Sequence, residues 1–151
     1  MRRAGNRQNR SMCLFVTVRV QGADAEALEK AAVATSSEGA PMQMGVFKPR
    51  RKEPELTISA GDGWHGSGCA CSLLAETADW NAPTWDMEPR ARRDLAQTID
   101  VLARHLPRPF SIEALWDGDP VEREHRVTVV DVVDLANADA LGTRDRYIVS
   151  T

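Results

Sequence analysis

No apolar run in this chain approaches the ~20 residues that a membrane-spanning helix needs, so the sequence reads as that of a soluble protein. Cysteine is scarce and odd in number, three in 151 residues, which argues for reduced thiols in a cytoplasmic setting and against a disulfide framework. Positive charge is not in excess either. Nineteen Lys and Arg against 22 Asp and Glu give a formal net charge of -3, the wrong balance for a dedicated nucleic-acid binder, which is built on surplus cations. The first residues, MRRAGNRQNRSMCLFVTVRV, are basic, but Thr17 and Arg19 break the apolar stretch and no small-residue cleavage pattern follows, so a secretory signal is not expected. Also missing are a G-x-S-x-G nucleophile elbow and any pair of Cys-x2-Cys knuckles.

The composition that remains, 42% hydrophobic and 27% charged, is ordinary for a globular domain. Residues 1–11 hold four arginines, no acid and little that is apolar, and are expected to be a flexible leader. Residues 12–151 are long enough for one self-sufficient core and show no internal repeat or linker, so a single domain is expected there.

Along the chain, MCLFVTVRV (12–20) alternates Leu14, Val16, Val18 and Val20 against Phe15, Thr17 and Arg19, the pattern of a half-buried strand. Asp24 caps a helix formed by AEALEKAAVA, and a brief strand is placed at Met44–Phe47 in an otherwise loop-like segment. ELTIS (55–59) and CACSLLA (69–75) read as two strands joined by the glycine-rich GDGWHGSG. A helix over 88–106 follows, with Asp86 as candidate cap, Pro89 in its first turn, and Leu95, Ile99, Leu102 and Leu106 on one stripe. PFSIEALW is a strand closed by an Asp117-Gly118-Asp119-Pro120 turn, with VEREHRV returning from it as a hairpin partner. Thr128-x-x-Asp131 is a capping-box pattern ahead of a helix that stops near Gly142, and RDRYIVS is a last strand.

The order β-α-β-β-α-β is that of a ferredoxin-like α+β fold: an antiparallel sheet with helices on one face, here carrying a C-terminal β/α/β extension. With the first and third strands side by side and parallel, Cys13, Cys69 and Cys71 would start neighbouring strands close to His65. Thiolates and an imidazole so grouped suit a soft metal such as zinc or copper. The competing reading is that Cys69 and Cys71 are small buried hydrophobes in a core-bound strand, with no cofactor.

Tryptophan carries the other candidate site. Trp64, Trp80 and Trp85 fall in or beside expected loops, and Trp80 and Trp85 flank Asn81 with Asp79 and Asp86 nearby, a mixture of apolar anchors and polar groups suited to an interface. The basic run Lys48-Pro49-Arg50-Arg51-Lys52 reads as a solvated loop. The resulting expectation is a non-enzymatic binding module, accessory or immunity-like and of bacterial type. It would engage a protein partner or a small ligand through Trp64, Trp80, Asn81, Trp85 and Asp86. The alternative is a thiol or soft-metal protein using His65, Cys69, Cys71 and Cys13.

Overall fold

Four apolar side chains at alternate positions, Leu14, Val16, Val18 and Val20, are all buried, and strand β1 (Leu14–Arg19) forms around them with Thr17 and Arg19 on its other face. The computed structural model describes residues 14–50, 52–59, 84–116 and 119–150. After β1 come helix α1 (Ala25–Ser37), strands β2 (Gln43–Phe47) and β3 (Glu55–Ser59), helix α2 (Pro89–Ala103), strands β4 (Phe110–Trp116) and β5 (Arg123–Val127), helix α3 (Val129–Asn137) and strand β6 (Asp145–Val149).

The helices begin and end for local reasons. Asp24 accepts the Ala27 N–H at 2.8 Å and caps α1, and Gly39, at φ +90°, turns the chain out of it. The capping box expected at α3 is present, with Thr128 Oγ1 accepting the Asp131 N–H and Asp131 Oδ2 accepting the Thr128 N–H, both at 3.1 Å. Asp139, not Gly142, is the left-handed residue that ends α3, at φ +55°. The bonds Asp139 N–H to Ala136 C=O and Ala140 N–H to Leu135 C=O close a Schellman turn there. Pro89 opens α2 as expected, but the cap is Glu88; Asp86 is two residues too early and adopts φ +49° instead.

Among the described residues the strands make one six-stranded sheet in the order β2-β3-β1-β4-β6-β5. Neighbours are antiparallel from β2 to β6, and β5 lies parallel to β6, so the sheet is mixed rather than wholly antiparallel. Strands β1 and β3 are side by side and antiparallel, with Thr17 opposite Thr57, while the strand expected at 69–75, and with it the expected parallel pairing beside the first strand, lies outside the described residues. One expectation is corrected by this order. The segment VEREHRV does not pair with β4: β6 takes that position, setting Tyr147 and Val149 opposite Ile112 and Phe110. The reason is burial. The alternation of DRYIV fills an interior strand, whereas the charged REHRV suits an edge. Strand β3 finds its hairpin partner in β2 across the basic loop, and residues 69–75 lie outside the described residues.

The helices pack side by side, α2 touching both α1 and α3. Between them and the sheet lies one core of Leu14, Val18, Leu28, Ile58, Leu95, Ile99, Leu102, Ile112 and Val149, with the whole α2 stripe buried as its spacing requires. Among the described residues no helix is long and apolar enough to cross a membrane.

Candidate functional site

Strand β5 alternates Arg123, His125 and Val127 against Glu124 and Arg126, and strand β6 sets Asp145 and Tyr147 opposite Arg123 and His125. Four chemistry-bearing side chains thus meet on the helix side of the sheet at its β5 end. Asp145, 6% exposed, is their hub. Its Oδ2 lies 2.8 Å from His125 Nε2 and its Oδ1 accepts from Arg123 Nε at 2.9 Å. Since a carboxylate only accepts hydrogen bonds, the imidazole proton facing it is on Nε2, leaving Nδ1 for another partner. The ring is stacked on Tyr147, centroids 5.0 Å apart and planes 17° from parallel.

Tyr147 completes the group from below. Its hydroxyl accepts the Gly142 N–H at 2.7 Å. Burial raises its pKa above the ordinary phenol value of 10.0; the Gly142 bond and Arg123 pull it back, and the charge and hydrogen bond of Asp145 push it further up. Gly142 is required by space: a Cβ there would lie 2.3 Å from Asp145 Oδ2, inside the carboxylate. The turn from Gly142 to Asp145 therefore presses the acid onto backbone that only glycine leaves open.

The same turn receives the tryptophan-bearing segment. Thr84 forms an isolated antiparallel bridge with Gly142, and Met87 N–H donates to Asp139 Oδ1 at 3.2 Å, so residues 84–87 are tied to the α3–β6 connection at two points. Trp85 is 3% exposed and packs in the core, where it lines a narrow apolar gap with Met87, Leu95, Leu141 and Tyr147 that has room for one water at most. Asp86 is half-buried beside it. Trp64, Trp80 and Asn81, with His65, Cys69, Cys71 and Cys13, lie outside the described residues. Among the described residues no group of three or more His, Cys, Asp or Glu side chains is placed to hold a metal ion.

Chemically, His125 held by Asp145 has the form of an orienting pair such as accompanies a general base. Arg123 on the same carboxylate changes its use, because the acid now anchors two cationic or polar heads rather than serving one imidazole. Both heads reach solvent, the Arg123 side chain being 57% exposed and that of His125 41%. The Arg123 guanidinium has N–H donors beyond the one given to Asp145, while the imidazole with its proton on Nε2 offers Nδ1 as an acceptor, and a donor and an acceptor so placed at the rim of a fold suit recognition of a polar group.

The sequence alone does not bring this group together. The available signal was an Arg and a His two apart on the side of a strand that otherwise faces helices, with Asp145-x-Tyr147 spaced to match; nothing in the sequence said that β5 and β6 are neighbours. No protein-family model matches the chain, and neither a curated protein nor a solved structure does.

Proposed function

We propose that this protein is a non-enzymatic binding module that engages a protein partner or a small ligand through the segment bearing Trp64, Trp80, Asn81, Trp85 and Asp86. The observation that carries the reading is the Thr84–Gly142 bridge. It roots residues 84–87 against the turn that leads to Asp145, the carboxylate that also holds Arg123 and His125. In this reading Trp85 is the buried root, Trp64, Trp80 and Asn81 supply contact surface, Arg123 supplies oriented donors and His125 an oriented acceptor. We further read the first six elements as a ferredoxin-like unit, a reading supported by the antiparallel run β2-β3-β1-β4.

The test is quantitative affinity capture from a cell extract with immobilised wild type, Trp80→Ala and Arg123→Ala protein. A species held by wild type and lost from both variants is the expected result. Species retained equally by all three would reject the segment as the contact surface. Elemental analysis of the same preparations decides the rival: about one equivalent of zinc or copper, lost in Cys69→Ala, would replace this reading with a soft-metal site on His65, Cys69, Cys71 and Cys13.

A further inference from the structure

Strand β5 ends the sheet order, and its one strand partner among the described residues is β6. The Arg144 C=O accepts from the Glu122 N–H at 2.7 Å, where the chain enters the strand, and from the Arg123 N–H at 3.4 Å, and the phase of the ladder follows from Arg123, His125 and Val127 lying on the helix face with β6 reached by a right-handed crossover through α3. Residues 123, 125 and 127 direct their backbone groups toward β6, while Glu124 and Arg126 direct theirs outward. Their side chains share the face away from the helices. Arg126 has no ionic partner among the described residues, and Glu124, its side chain 53% exposed, binds Arg146 through Oε2 at 2.9 Å.

We propose that β5 is a self-association edge, on which a second copy of this chain adds its own β5 antiparallel about a two-fold axis at His125. The register follows from the residues. With His125 opposite His125 of the other copy, Glu124 stands opposite Arg126 and Arg126 opposite Glu124, and these two pairs are the ones whose outward N–H and C=O groups can exchange hydrogen bonds. Both pairs carry opposite charge on one face, the arrangement that stabilises cross-strand neighbours. Centring the axis on Glu124 or on Arg126 would instead set two like charges face to face, so the same side chains that deter indiscriminate edge pairing select one register. The opposite edge, β2, has the sequence QMGVF and carries no charge to specify such a pair. The proposal goes beyond the binding reading and does not depend on it.

Charge reversal tests it on the full chain. Sedimentation velocity from about 10 μM to about 1 mM, a range suited to small interfaces, should show a reversible dimer for the wild type. Glu124→Arg and Arg126→Glu, each alone, place like charges in both pairs and should weaken association by roughly tenfold or more. Mixed one to one, the two variants regain complementary pairs and should form a heterodimer, which also shows that both are folded. A wild type monomeric throughout, single variants that dimerise as well as wild type, or a mixture that stays monomeric would each overturn the proposal.

Discussion

At the scale of single residues the molecule concentrates its chemistry on Asp145. One buried carboxylate orients His125, holds Arg123 and borders the Tyr147 hydroxyl, and glycine at position 142 leaves it the room to do so. The tyrosine makes this arrangement measurable, because it is the only one in the chain. Burial keeps its proton in the folded state beyond the ordinary value of 10.0, so above that pH the unfolded chain gives up the proton first. With fewer protons bound in the unfolded state, stability falls as pH rises, and the contribution is intact below the ordinary value. Tyrosinate absorbance should therefore show a midpoint above 10.0, and Tyr147→Phe should flatten the alkaline decline of the unfolding free energy. Superimposable alkaline profiles for the two proteins would show that burial of this hydroxyl is not linked to folding. Little of the Asp145 group was legible beforehand, because a hub acid is defined by neighbours from another strand and sequence spacing reveals only neighbours along one.

At the scale of elements, legibility follows how local the cause is. The caps at Asp24 and Thr128 and the stripe of α2 were readable because each is decided within a turn or two of helix. The places of β5 and β6 were not. Both are short alternating strands, and which one enters the sheet beside β4 depends on the burial of Tyr147 and Val149 against residues more than thirty positions away. The helix α3 between them is only nine residues long, so its ends weigh heavily on its stability. Thr128→Ala removes the acceptor for the Asp131 N–H and should cost about 1 kcal/mol in chemical denaturation. Thr128→Ser, which keeps the hydroxyl, should recover most of that loss. An equal loss for both would assign the effect to the Thr128 methyl rather than to the cap.

At the scale of the whole molecule, the face of the sheet away from the helices is held by a ladder of alternating charge. Glu55 of β3, Arg19 of β1, Glu113 of β4, Arg146 of β6 and Glu124 of β5 follow one another across five adjacent strands. Arg19 bonds Glu55 at 2.6 Å and also pairs with Glu113, while Arg146 bonds Glu113 at 2.8 Å and Glu124 at 2.9 Å. The rungs are unequal. Glu113 is 3% exposed and sits between two guanidinium groups, whereas Glu124 stands at the outer end, more than half in solvent. Removing Glu113 leaves two arginines facing each other across a central strand. The expected cost of Glu113→Ala is about 3 kcal/mol, the lower end for breaking a buried pair because both arginines are partly exposed. Glu124→Ala breaks a pair of similar length in solvent and should cost less than about 1 kcal/mol. Denaturant unfolding of the two variants, at a protein concentration low enough to keep the chain monomeric, makes the comparison. If the two losses were equal, burial would not be what gives the ladder its strength, and the central acid would count for no more than a surface ion pair.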